Sequence, residues 1–332
     1  MTEVLFLTSE DVAGLATPAE YVEAVREGYR QRGEGAPAKP RQKLTSEAPP
    51  GMLTGYLSIL PETGAMGGYM YAAGFGAADA HFFLPLFDAE SGDPIALLDG
   101  ASINPFKTGA AGAVGVDVLA RPDASRLALI GAGAQARGQL RAVATVRDLE
   151  RVDVYSPTAE SRETFAAEMN DGVDATVAAV ASSDAAIEDA DIVITATNAT
   201  EPVFDGERLE DGTHVTAMGQ YAPERRELDA TTVARATYVP DLLARLDRDA
   251  GAYMQALAEG AIAEGHAHAE LGEVVAGTAE GRTTREEITV FDSGGTGIET
   301  VASAAMLYEK ARAEGLGQVL EFSPASEALT GR

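Results

Sequence analysis

The chain contains no cysteine, which excludes disulfides, thiolate metal centres and cysteine nucleophiles together. No apolar run approaches the roughly 20 residues of a membrane-spanning helix. The opening MTEVLFLTSEDVAG has a short apolar patch, but neither the basic lead nor the small-residue cleavage site of a secretory signal. A cytoplasmic location is therefore expected. Lysine is scarce, confined to Lys39, Lys43, Lys107 and Lys310. With 52 acidic against 25 basic residues, the formal net charge is −27. Such a field repels nucleic-acid phosphates and anionic membranes, so neither is an expected partner. The acids are spread through helical stretches rather than gathered in a tail, which points away from disorder. They read as a salt-adapted surface whose repulsion is screened at high ionic strength; the plainer reading is an acidic enzyme without that adaptation.

One stretch reverses the sign. Arg26, Arg30, Arg32, Lys39, Arg41 and Lys43 put six positive charges into residues 26–43. Either they serve an anionic ligand, or they are the C-terminal charges of a helix followed by a solvated loop.

At 332 residues with 45% hydrophobic content, the chain can fill two domain cores. A short strand over 4–7 precedes a helical stretch in which Thr8 or Ser9 and Thr17 offer caps and Pro18 suits a first turn. Between 36 and 100, proline and glycine punctuate alternating segments that read as antiparallel strands. Residues 105–120, PFKTGAAGAVGVDVLA, return to helical spacing with small residues suited to close packing. From 127 onward, apolar strands alternate with helices, the pattern of a parallel sheet covered on both faces. GIETVASAAMLYEKARAEG forms a last helix that ends at Gly315.

That alternation decides how to read LALIGAGAQARGQL, residues 127–140. RLALI is a strand, Gly131 opens a tight turn, Gly133 admits a pyrophosphate, and Ala134, Gln135 and Ala136 begin a helix whose N-terminus faces the anion. A dinucleotide cofactor follows. At the end of the next strand stands Ser156, where an acidic residue would select an unphosphorylated ribose. Ser156 and Thr158, with Arg162 nearby, leave room for a 2′-phosphate, so NAD(P) is expected with a preference for NADP. Thr197 and Asn198 follow one further strand, and Met218 and Gly219 end another, where residues meet the cofactor in such sheets.

Several segments together resemble the ornithine cyclodeaminase/mu-crystallin family. They are LPLFDAESGDPIALLDGASINPFKTGAAGAVGVDVLARPDASRLALIGAGAQARGQL, ADIVITATNATEPVF, RRELDA, ELGEVVAG and EEITVFDSGGTGIETVASAAMLYEKA, in order and across nearly the whole chain. The resemblance implies an α/β protein: a Rossmann-type doubly wound parallel sheet over 119–299, with an α+β substrate and dimerisation domain from 1–118 plus 300–332. It further implies a homodimer, a small carboxylate-bearing substrate, and hydride transfer between nicotinamide and an amino or imino carbon, as in alanine dehydrogenases and imine reductases. Ornithine cyclodeamination and nucleotide-dependent ligand binding are the alternatives within it.

Carried over by position, the resemblance makes Arg41 in KPRQK a carboxylate ligand, a role that suits a guanidinium fork. A second family arginine is here Lys107 in FKTGAA, which keeps charge but loses the fork. The family's lysine is replaced by Tyr69, and the cyclodeaminase aspartate by Tyr221 in MGQYAPERREL. Those departures speak against ornithine cyclodeamination. They leave Tyr69 or Tyr221 as candidate proton donors beside Lys107; each tyrosine is otherwise a packing aromatic. His81 either touches ligand or is structural. Ser293 and Gly294, in FDSGGTG, are placed by the resemblance near the cleft, while Thr296 is a helix cap. His266 and His268, with Glu264, Glu270 and Glu273, are read as a solvated turn rather than a metal site, because histidines two apart are poorly aligned on a helix. His214 opens a strand and reads as structural.

Overall fold

In the computed structural model, which describes residues 1–330, the chain divides into two units: Met1–Asn104 with the segment from Thr296 onward, and Pro105–Gly295. Residues 331 and 332 of the expected 300–332 segment lie outside the described residues.

The first unit begins with β1 (Thr2–Leu7), α1 (Ser9–Val12) and α2 (Pro18–Gly33). Both helices start in capping boxes, Thr8 with Asp11 and Thr17 with Glu20, and Pro18 fills the first turn of α2. Tyr21, Val22, Val25 and Tyr29 form its buried face. The chain then builds β2 (Gln42–Glu47), β3 (Pro50–Leu60), β4 (Ala65–Gly74), β5 (Phe83–Asp88) and β6 (Pro94–Asp99). Each pairs antiparallel with the next. Alternation sets the two faces: Thr54, Tyr56, Ser58 and Leu60 of β3 are buried, and Leu53, Leu57 and Ile59 are exposed.

The second unit opens with α3 (Asn104–Leu119). It continues through β7 (Arg126–Ile130), α4 (Ala134–Val143), β8 (Arg151–Tyr155), α5 (Ala159–Asn170), β9 (Thr176–Ala179), α6 (Ser183–Ile187) and β10 (Ile192–Thr195). Then come β11 (His214–Ala217), α7 (Ala230–Arg235), β12 (Ala236–Pro240), α8 (Gly251–Ala258), α9 (Leu271–Val275) and β13 (Ile288–Asp292). The strands form one sheet in the order β12-β13-β11-β10-β7-β8-β9, every pair parallel. Its order reverses between β7 and β10, the switch point at which doubly wound sheets bind ligands.

The expected boundaries at 118/119 and 299/300 shift to 104/105 and 295/296. The small residues of α3 explain the first shift. A Cβ at Gly109 would lie 2.3 Å from the Gly138 carbonyl oxygen, so α3 packs backbone to backbone on α4. Gly115 likewise stands against the Phe291 ring of β13.

The chain returns to the first unit as α10 (Gly297–Glu314), β14 (Gln318–Phe322) and α11 (Ala325–Thr330). Thr296 caps α10 in a box with Glu299, and Gly315 closes it in the left-handed region at φ 69°. The first sheet runs β14-β1-β6-β5-β4-β3-β2, with β1 parallel to β6 and antiparallel to β14. α10 lies against α2, β3 and β4.

Candidate active site

In the second unit, Gly131 follows β7 with φ 120°, and a Cβ there would meet the Ala196 carbonyl oxygen at 2.3 Å. Only glycine makes that turn. Its N–H donates to the Tyr155 carbonyl, 2.8 Å away, joining the ends of β7 and β8. Gly133 stands at the N-cap of α4 with nothing within 4 Å of a would-be Cβ, so the space before the helix is open. Gln135, one residue into α4 from Ala134, has a buried Oε1 without a hydrogen-bond partner. An open helix N-terminus and an orphaned acceptor fit a dinucleotide pyrophosphate and its sugar hydroxyls.

At the end of β8, Arg162 donates from Nη1 to the Ser156 carbonyl at 2.9 Å, with its guanidinium 6.0 Å from the Tyr155 ring centroid. Thr158 is the exposed N-cap of α5, and its side chain makes no capping bond. Ser156, Thr158 and Arg162 thus sit together beside the glycine turn, with hydroxyl and guanidinium donors and no carboxylate from residue 156.

The ends of β10 and β11 are joined by a residue not singled out in the sequence, Glu227. Its Oε1 accepts from the Thr197 N–H and hydroxyl, both at 2.7 Å, and its Oε2 from the Gly219 N–H at 2.7 Å and the Thr195 hydroxyl at 3.0 Å. Met218 donates its N–H to the Thr195 carbonyl at 3.0 Å, and Asn198 is exposed beside them. Glutamate in RREL carries no signal by itself; only the folded chain shows four donors converging on it.

Beyond β13, Asp241 organises the next turn. Its Oδ2 accepts from the Ser293 hydroxyl at 2.8 Å and the Gly294 N–H at 3.0 Å, while Oδ1 accepts from Arg245 at 2.9 Å. Arg245 is fully buried and also bonds Asp249 at 2.7 Å. The expected cofactor residues after β7, β8, β10, β11 and β13 are therefore gathered at the carboxyl edge of one sheet. Lys107 is buried on α3, and Tyr221 is half-buried in the segment after β11.

In the first unit, Arg41 is buried, with its guanidinium 5.0 Å from the Tyr56 ring centroid and Nη1 donating to the Tyr71 hydroxyl. Phe82 packs on Tyr71 and Tyr69 at centroid distances of 4.5 and 5.1 Å. Tyr71 escaped the sequence reading because its partner is thirty residues away. The basic stretch does not act as one site. Arg30 is held by Glu27, Glu34 and Glu62, Arg26 by Glu23, and Arg32 donates to the Ala36 carbonyl. Acids thus neutralise Arg26 and Arg30, while Arg41 lies in an aromatic setting.

Of the two readings of Tyr69, proton donor or packing aromatic, its surroundings favour the second. Its hydroxyl donates to the Gly100 carbonyl at 2.6 Å, and burial, reinforced by nearby Tyr56 and Glu299, raises its pKa well above that of an ordinary phenol. The side chain is 1% exposed and belongs to the core of the sheet. His81 is exposed between β4 and β5. His266 and His268 each place Nε2 on a backbone carbonyl, of Val233 and Glu280. His214 is buried between the hydroxyls of Thr216 and Thr289.

Comparison with known proteins accords with this arrangement. The profile of the Ornithine cyclodeaminase/mu-crystallin family matches residues 2–315. The chain belongs to that family. Among its relatives, a Delta(1)-pyrroline-2-carboxylate reductase of Bacillus cereus is 38% identical over 239 residues, covering 71% of this chain and 73% of that protein. The structure of Thermococcus litoralis Delta(1)-pyrroline-2-carboxylate reductase in complex with NADH and L-proline superposes with a TM-score of 0.89. It is 34% identical, covering 95% of this chain and 99% of that one. An archaeal alanine dehydrogenase dimer with bound NAD gives 0.90 at 31% identity, covering 97% and 100%. As a member of the ornithine cyclodeaminase/mu-crystallin family, the chain has Tyr69 and Tyr221 where the sequence resemblance placed a lysine and an aspartate.

Proposed function

We propose that this protein is an NAD(P)-dependent oxidoreductase that reduces a carboxylate-bearing imine to an amino acid, or runs the reverse oxidation. A cyclic imino acid of the pyrroline-2-carboxylate kind is the first candidate substrate. The observation that carries the reading is the carboxyl edge of the parallel sheet, where an open helix N-terminus and the ends of five strands stand together. The nicotinamide, when bound, supplies or accepts hydride. The α4 N-terminus binds pyrophosphate, and Thr197, Met218, Gly219, Ser293 and Gly294 shape the edge that receives the rest of the cofactor. Arg41 supplies the guanidinium for the substrate carboxylate within the first unit. Lys107 supplies a buried cation within the second, and Tyr221 is the assigned proton donor. Ser156, Thr158 and Arg162 favour NADPH over NADH, since they offer donors to a 2′-phosphate.

Leu44, Leu53, Leu57, Ile59, Met70 and Phe83 are exposed; they share one face of the first sheet, in which Leu44 pairs with Leu53 and Met70 with Phe83. A continuous apolar face of this kind is covered in a stable protein, and a homodimer covers it here. The protein works in a salt-rich cytoplasm, where ions screen its −27 charge.

The test is oxidation of NADPH or NADH in high-salt buffer with cyclic imino acids, and separately with 2-oxo acids plus ammonia or methylamine. Saturable oxidation with an imino acid is expected. Tight cofactor binding without turnover on any of these would instead make the protein a nucleotide-dependent ligand binder. Light scattering should report a dimer, and removal of salt should lower the thermal midpoint.

A further inference from the structure

Glu227 ties the loop after β10 to the loop after β11 through its carboxylate. This carboxylate is 2% exposed. Each of its partners, Thr195, Thr197 twice and Gly219, presents an N–H or O–H. The anion accepts from all four, whereas a protonated carboxyl would require one of the threonine hydroxyls to turn round and accept. Among the described residues, no lysine or arginine pairs with it; neighbouring Arg226 is drawn instead to Glu259 at 2.7 Å. Burial holds the pKa of the carboxyl group above that of an ordinary glutamate, and its hydrogen bonds offset part of that rise. The carboxylate thus rests on neutral dipoles alone, under the carboxyl ends of β10 and β11.

Those strand ends lie next to the switch point, on the side of the sheet away from β8 and the adenosine-selecting Ser156. In a doubly wound sheet this side receives the nicotinamide half of the cofactor. Reduced nicotinamide is neutral and the oxidised ring is cationic. An anion without a local counter-cation therefore acts on the difference between them.

Resting on the oxidoreductase reading, we propose that Glu227 is a positioning residue with a second effect: it fixes the two backbone segments that seat the nicotinamide, and its charge favours the oxidised ring over the reduced one. The two effects separate by variant. Glu227→Gln keeps the size but removes the charge and turns an amide N–H₂ towards at least one donor. Glu227→Asp keeps the charge but shortens the reach. Thr195→Val removes one donor and leaves the charge in place.

Calorimetric titration with NAD⁺ and NADH, or with the 2′-phosphorylated pair if that binds better, gives the ratio of the two dissociation constants for each protein. Circular dichroism and thermal melting accompany it. Glu227→Gln is expected to weaken the oxidised form about tenfold more than the reduced form, the effect of one screened charge at close range. Glu227→Asp and Thr195→Val should weaken both forms together and hold the wild-type ratio within about twofold. An unchanged ratio in Glu227→Gln overturns the electrostatic effect, and so does an equal shift in Glu227→Asp or Thr195→Val. Unchanged affinities in all three variants overturn the seating effect. If the wild-type protein binds no nicotinamide nucleotide, the oxidoreductase reading itself fails, a result distinct from either.

Discussion

The guanidinium of Arg41 lies 5.0 Å from the centroid of the Tyr56 ring. The ring holds the planar cation in place, and the Tyr71 hydroxyl engages one of its nitrogens. A lysine would keep the charge but lose both the stacking and the fork. Arg41→Lys should raise KM for the imino acid at least about tenfold, the loss of a charge-assisted hydrogen bond, with a smaller change in kcat and a modestly lower thermal midpoint. Steady-state kinetics check this, and an unchanged KM would remove Arg41 from substrate binding.

The two tyrosines should respond differently. Tyr221→Phe is expected to lower kcat by about a hundredfold or more, the range for a lost general acid, with little effect on stability. Tyr69→Phe leaves the Gly100 carbonyl without the Tyr69 donor, so it should lower stability by about 1–3 kcal/mol and spare kcat. Parallel kinetics and urea unfolding distinguish them. Equal turnover in wild type and Tyr221→Phe would dismiss Tyr221 as the acid.

Cofactor choice rests on the end of β8. Arg162→Ala should weaken NADPH about tenfold or more, as a lost charge-assisted bond to phosphate implies, and leave NADH nearly unaffected. Ser156→Asp should act in the same direction, because a carboxylate accepts from a ribose hydroxyl and repels the 2′-phosphate. Fluorescence titration with both nucleotides is sufficient. A parallel loss for NADPH and NADH in Arg162→Ala would place that arginine outside the selection.

Gly138 has no room for a side chain: a Cβ there would lie 2.1 Å from the Pro105 carbonyl oxygen. Gly138→Ala must push α3 from α4, at a cost of about 1–3 kcal/mol. This loss exceeds what alanine's better helix propensity returns, about 1 kcal/mol. A thermal midpoint at or above wild type would show that the two helices do not approach this closely.

His214 gives the stability a defined pH dependence. Burial, with Arg282 and Arg147 acting in the same direction, holds its pKa well below 6.5. The folded ring is neutral while the unfolded one takes up a proton as pH falls below that value. Stability is therefore fully present above about pH 6.5 and lost as pH falls towards the folded pKa, at up to about 1.4 kcal/mol per pH unit. Urea unfolding between pH 7.5 and 5 should show this slope in wild type and its removal in His214→Gln. Coincident slopes would mean that other groups set the acid limb.

Much of the sheet edge was legible because its signals are local. Gly131 needs φ 120° within its own turn, and Thr17 and Thr296 cap through residues three further on. Where the sequence left alternatives, particular side-chain partners decided between them. The basic stretch read either as a ligand site or as the closing charges of a helix until Arg26 was seen paired with Glu23, and Arg30 with Glu27, Glu34 and Glu62. Tyr69 was open as a proton donor or a packing aromatic until its hydroxyl was seen to donate a hydrogen bond to the Gly100 carbonyl. The glycines of α3 signalled close packing, but not that α4 and β13 would be the partners.

By itself, the sequence determined the alternation of strands and helices, the glycine turn, the caps, the acidic character and the family. Each follows from neighbours along the chain or from an ordered series of motifs. Tertiary structure decided which polar groups lose water together. Glu227 acquired Thr195, Thr197 and Gly219, Asp241 acquired Ser293 and Arg245, and Arg41 acquired Tyr56 and Tyr71. A buried charge must find its partners wherever the fold brings donors to it, and spacing along a chain carries no record of that.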